Sequence, residues 1–211
     1  MKTFRYLIGA IFMLGASLTH GQDLAVLDAK PILQEQQGGN FLFDTYYTGS
    51  VTGKYGQVVE GLSFRFDMAG NRLEIQHNDS LFVTGDAVTG FTLPTGTALY
   101  YFERGFPSAQ GATAKTFYQV LYDGNLRLLK HFVVPIKDQE EAGAGQLFIL
   151  KDGKMHPVSL SNKESFLKVL ADERNKMNYI IKESQFDFDQ EEDLAILLQE
   201  YDAYKAGRGG N

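Results

Sequence analysis

The chain has 211 residues, 20 basic and 26 acidic, with no cysteine and no tryptophan. A chain of this length can bury a core without covalent staples, and the missing cysteines exclude disulfide scaffolds and thiolate metal sites. Its acidic balance disfavours nucleic acid or an anionic membrane surface as partner and reads most simply as solubility.

The N-terminus opens with Lys2 and Arg5, followed by an apolar run from Tyr6 to Leu18. Small Thr19 and Gly21 stand third and first before a cut ahead of Gln22. That is the layout of a secretory signal peptide over residues 1–21. The run of 13 residues falls short of the roughly 20 that cross a bilayer as a helix. Cleavage removes two basic residues, leaving 190 residues with 18 basic against 26 acidic. Exported eukaryotic proteins of this size usually carry disulfides, so their absence favours a bacterial envelope or secreted protein. No second apolar stretch approaches spanning length, so no transmembrane segment is expected in the mature chain.

Residues 22–39 read as an N-terminal extension, and residues 40–160 as a β-rich body. Leu62, Phe64, Phe66 and Met68 alternate with Ser63, Arg65 and Asp67, the period of a strand with one dry face. Ala69-Gly70-Asn71 turns the chain, and Leu73 and Ile75 alternate on the return, giving a hairpin with a wet and a dry face. Shorter strands are predicted around Ser80–Val83 and Val88–Leu93, split by Gly85-Asp86. Thr116–Tyr122 carries Phe117 and Leu121 on one side and Tyr118, Val120 and Tyr122 on the other. Asp123-Gly124 turns it back into Leu126–Val134, glycine tolerating the positive φ of tight turns. Apolar groups on both faces predict a strand pair covered on both sides. A third hairpin joins Gln146–Leu150 to Met155–Leu160 through Asp152-Gly153, with Pro157 suited to a sheet edge. Phe106–Ala114 and Lys137–Gly145 read as long loops.

After Leu160 the period becomes helical, and residues 161–205 read as a helical part packed on the sheet. Ser161 with Glu164, and Asp189 with Glu192, have capping-box spacing. Phe166, Leu167 and Leu170 share one face, and Met177, Ile180 and Ile181 continue in a second short helix. Leu194, Leu197, Leu198 and Tyr201 form one stripe. Residues 206–211, rich in glycine, read as a disordered tail. The predicted fold is α+β: an antiparallel twisted sheet or partial barrel of hairpins, then two or three short C-terminal helices.

Reactive constellations are sparse. Gly49–Tyr55 lacks the spacing and the Ser or Thr of a phosphate-binding loop. His77, His131 and His156 do not pair at metal-ligand spacing, and Asp187–Asp193 fails the glycine and glutamate positions of a calcium loop. Its carboxylates fit the start of a helix instead. Asp67 and Glu74 are the one carboxylate pair that a glycosidase reading could use. Asn78-Asp79-Ser80 is a glycosylation sequon. No catalytic residue, metal ligand or cofactor site is assigned. Aromatic residues are abundant and read first as core, with Tyr100, Tyr101, Phe102 and Phe106 as candidates for lining a ligand groove.

The hairpin from Val120 to Lys130, the Leu150–Lys154 turn and the closing Glu191–Leu194 resemble a loosely related group of uncharacterised exported proteins of Gram-negative bacteria. The resemblance spans most of the mature chain and implies a fold, but no activity or site. Three functions are therefore carried forward. The first is a non-enzymatic envelope protein, a binding or interaction module whose partner is an unknown protein or a small apolar or glycan ligand. The second is a carrier or sensor of an apolar or glycan ligand, with Phe106–Ala114 as a gate. The third is a carboxylate-based hydrolase.

Overall fold

The computed structural model describes residues 20–32, 39–134 and 145–208. Most of the expected signal peptide, residues 137–144 of the second predicted loop and residues 209–211 lie outside the described residues. A short helix, α1 (His20–Val26), leads to β1 (Lys30–Pro31). Four strands follow as a meander: β2 (Tyr47–Gly53), β3 (Val58–Asp67), β4 (Arg72–His77) and β5 (Ser80–Val83). A second meander comprises β6 (Val88–Pro94), β7 (Leu99–Glu103), β8 (Tyr118–Asp123), β9 (Arg127–Phe132), β10 (Gly145–Lys151) and β11 (Lys154–Val158). The chain ends in α2 (Lys163–Val169), a 3-10 turn at Ala171–Glu173, α3 (Arg174–Ser184) and α4 (Glu191–Arg208). All pairings are antiparallel, in the order β1-β5-β4-β3-β2-β6-β7-β8-β9-β10-β11. The result is an open, β-rich α+β fold, as the alternating pattern predicts.

Sequential order breaks twice, with β1 beside β5 and β6 beside β2, and the second break dictates the curvature. After β5 the chain returns to pair β6 with the far side of β2. In a flat sheet four strand spacings, about 19 Å, would separate β5 from β6. Val83 is level with the start of β2 through Glu74 and Arg65, whereas Val88 lies opposite Gly53 at its end. The link of residues 84–87 reaches at most about 18 Å when fully extended. The sheet must therefore coil, and it does. Phe66 of β3 meets Phe102 of β7 at a centroid distance of 5.3 Å, although two strands lie between them.

The coil encloses a core dominated by rings. Phe91 stacks on Phe102 at 4.5 Å and receives Phe64 and Phe117 edge-on at 5.8 and 5.2 Å. Leu24 and Leu27, from α1 and the turn after it, join this core and are buried. The outer face of β3 and β4 is drier than its alternation predicts. Residues 40–42 run beside the end of β3, Leu42 N–H donating to Phe66 O and Met68 N–H to Asn40 O. Asp67 and Glu74 are each only 4% exposed, and each sits opposite an arginine, Arg72 and Arg65 respectively.

Strands β8 and β9 are covered on both faces, as their composition predicts, and so is β10. Leu128, Leu147 and Ile149 lie under the helices, while Leu129 and Phe148 lie under the segment carrying Phe106 and Ala112. A bulge between Val120 and Tyr122 corrects the predicted facing of β8. Tyr122 turns to the helical side, where its hydroxyl donates to Asp202 at 2.9 Å.

Turn chemistry follows the sequence at most hairpins. Asn78-Asp79 and Asp152-Gly153 hold positive φ, the geometry that two-residue hairpins favour. Gly124 does not. Its small size is what matters, because a Cβ there would collide with the Asp202 carboxylate and the Tyr122 hydroxyl. Asp202 Oδ2 accepts the N–H groups of Asn125 at 2.7 Å and Leu126 at 3.3 Å, so α4 closes the β8–β9 turn.

Among the helices, Phe166, Leu167 and Leu170 are fully buried, as are Leu194, Leu197 and Leu198. The predicted cap shifts by one residue. Ser161 has φ 58, and Asn162 instead caps α2 through Ser165 N–H, while Ser161 donates to Asp189. Helix α4 continues through Gly207 to Arg208, past the expected stop. Pro157 does lie on an edge strand, β11, and Pro31 sits on the opposite edge strand, β1.

Candidate functional site

A groove of about 580 Å³ opens where the coiled region meets the helical cap. Leu42 and Phe43 form one wall, held by the backbone pairing of residues 40–42 with β3. Leu99 and Tyr100, at the start of β7, continue it, and Phe43 meets the Tyr100 ring edge-on at 5.2 Å. Val120 and Leu121 at the β8 bulge and Phe132 of β9 line its sheet side. Ala195 and Ile196, on the first turns of α4, close the other side. Leu99 is 68% and Ile196 44% exposed, so the mouth is apolar and wet.

Lys130 stands inside this groove because of strand alternation. Leu128 and Phe132, its neighbours on the same face, enter the two cores. Lys130 falls at the seam between them, and its Nζ pairs with Glu191 at 2.8 Å. Its stem crosses Gly145 on β10, where a Cβ would collide with it. The ammonium also lies 4.9 Å from the Phe132 ring centroid. Glu191 is in the first turn of α4, where free N–H groups favour a carboxylate. Glu192 lines the same groove and is exposed.

The four aromatic residues singled out from the sequence are not brought together. Tyr100 lines the groove. Tyr101 points to the opposite face of β7 and donates to Glu103. Burial and the Glu103 hydrogen bond push its phenol up to about 12. Phe102 is fully buried in the ring core, and Phe106 packs edge-on against Tyr118 at 5.5 Å. Segment 105–114 is anchored by buried Phe106 and Ala112 on the Tyr118 face, away from the face that α4 covers. Sequence reasoning missed Phe43, Lys130, Phe132 and Glu191. The one local signal was a lysine between two inward-facing apolar residues on a strand.

Several polar groups elsewhere are engaged structurally. Glu74 accepts from Tyr46 and from Arg65, whose guanidinium lies 3.5 Å from the Phe41 ring centroid. Burial and Glu74 push the Tyr46 phenol up to about 12. Burial alone would raise Asp172, but hydrogen bonds from Lys151, Tyr201 and Lys205 outweigh it and hold the carboxyl well below its usual range. Burial depresses the His131 imidazole and raises the neighbouring Tyr118 phenol. Among the described residues no group of three or more acids and histidines is placed to hold a metal ion. No described helix is long and apolar enough to cross a membrane.

Set beside known protein families, curated proteins and solved structures, the chain matches none.

Proposed function

We propose that the protein is an exported, non-enzymatic binding module of a Gram-negative envelope, with the groove between sheet and α4 as its site. The observation that carries this reading is the groove itself: about 580 Å³, walled by apolar and aromatic side chains around a single ion pair. Sites for small ligands have this size and makeup, mostly apolar with a few placed polar groups. The hydrolase reading is weaker, because Asp67 and Glu74 each face an arginine across the strand pair and neither lines the groove. Export rests on the basic-apolar-small pattern of residues 1–21. A mature chain beginning at Gln22 keeps both Leu24 and Leu27, which the ring core uses.

Two measurements test the reading. N-terminal analysis of the exported protein should find Gln22, and retention of Met1 on a membrane-bound product would overturn export. Native mass spectrometry of the same preparation should show a small ligand that is lost on unfolding and reduced in Tyr100→Ala. A ligand-free mass together with no uptake of an added apolar dye would remove the groove as the site.

A further inference from the structure

The groove has a sign. Among the described residues three side chains that are charged at neutral pH line it: Lys130, Glu191 and Glu192. Lys130 is matched by Glu191 at 2.8 Å, and the pair is largely shielded, with side-chain exposures of 16% and 23%. Glu192 is exposed at the mouth and forms no ion pair among the described residues. One carboxylate is thus left over. An anionic head group would meet Glu192 and would have to displace Glu191 from Lys130, the cation that lines the groove among the described residues. A cationic head group can pair with Glu192 without breaking the Lys130–Glu191 pair.

The walls favour the same choice. Phe43, Tyr100 and Phe132 present ring surface to the groove, and aromatic faces attract cations electrostatically. The Lys130 ammonium, 4.9 Å from the Phe132 centroid, shows that an ammonium is accommodated at such a ring here. The apolar side chains Leu42, Leu99, Val120 and Ile196 supply surface for a hydrocarbon chain rather than for a bare ion. We infer that the groove takes a cationic amphiphile, an apolar chain bearing an ammonium-type head, with Glu192 and the aromatic wall holding the head. This rests on the groove being the binding site proposed above.

The test uses three amphiphiles with the same chain and different heads, titrated calorimetrically into the purified protein below their micelle concentrations. These are dodecyltrimethylammonium, dodecyl maltoside and dodecanoate. The cation should bind about tenfold more tightly than the neutral sugar, and the carboxylate more weakly than either. Glu192→Gln, at an exposed position, should lower cation affinity by about three- to tenfold and leave the maltoside unchanged. Leu99→Ser, also exposed, should weaken all three. Equal binding of cation and anion, or a preference for the anion, overturns the charge assignment while leaving the groove in place. Failure of all three to bind, or binding indifferent to both Leu99→Ser and Tyr100→Ala, overturns the groove as the site.

Discussion

The coiled region around β2–β7 and the capped region around β8–β11 solve the same problem with different side chains. In the first, the sheet folds over on itself and six phenylalanines, Phe64, Phe66, Phe91, Phe102, Phe117 and Phe132, fill the space it encloses. In the second, helices cover the sheet, and leucines, isoleucines and a methionine predominate over Phe166 and Tyr201. Where the sheet closes over itself, rings meet stacked and edge-on, whereas mainly aliphatic side chains fill the layer between helices and sheet. The groove sits at the seam, where neither kind of packing is complete.

The comparison can be broken first in the ring core. Phe91→Ala removes a ring that stacks on Phe102 and receives two others edge-on, and should cost about 3 to 5 kcal/mol in urea denaturation. Leu197→Ala in the capped region should cost about 2 to 5 kcal/mol, because Leu197 lies on the fully buried side of α4. Both variants should keep one transition, since Phe132 of β9 reaches into the ring core and ties the regions together. Two resolved transitions in either variant would show that the regions are separate folding units. An unmoved midpoint in Leu197→Ala would make the helical part a free arm.

Two smaller effects sharpen the picture of how the cap is fastened. Gly124→Ala forces a Cβ against Asp202 and Tyr122, and should cost about 1 to 3 kcal/mol. A glycine needed only for its backbone freedom would behave differently, because φ at this position is not positive. An alanine that leaves stability unchanged would mean that the turn shifts easily. The smallest effect is pH-dependent. Asp172 is held below its usual range, so its contribution is complete above the ordinary carboxylate value of about 4 and fades as pH falls further. Asp172→Asn should therefore be less stable than the natural chain at neutral pH, by no more than about 1 kcal/mol for so exposed a group, with the gap closing in acid. A gap that persists unchanged at low pH would refute the charge-based account.

The hairpins were legible because their information is local. Period-two alternation from Leu62 to Ile75 and the Asp152-Gly153 turn require no knowledge of the rest of the chain. The return of β6 to β2 was not, since nothing near Val88 marks Gly53 as its partner in the sheet. One bulged residue at Leu121 was enough to move Tyr122 to the other face. Ser161 and Asn162 are both competent caps by residue type, and only the backbone angle of Ser161 decides between them. The groove was the least legible feature. Its walls come from residues 42–43, 98–100, 119–121 and 130–132 and from α4, segments separated by dozens of residues. Tyr100 stood out in the sequence because it is aromatic, and Glu191 because it is acidic, but their shared location follows from the coil and the cap together.

The placement of Pro31 and Pro157 bears on how the molecule behaves when crowded. An open sheet ends in two strands whose outer backbone groups can template another chain, the usual route to edge-to-edge polymerisation. Here each terminal strand carries a proline, which lacks the N–H that such pairing needs. β1 is also only two residues long. A sheet of eleven strands that never closes can thus stay dispersed at high concentration, with both of its ends unsuited to recruiting a neighbour.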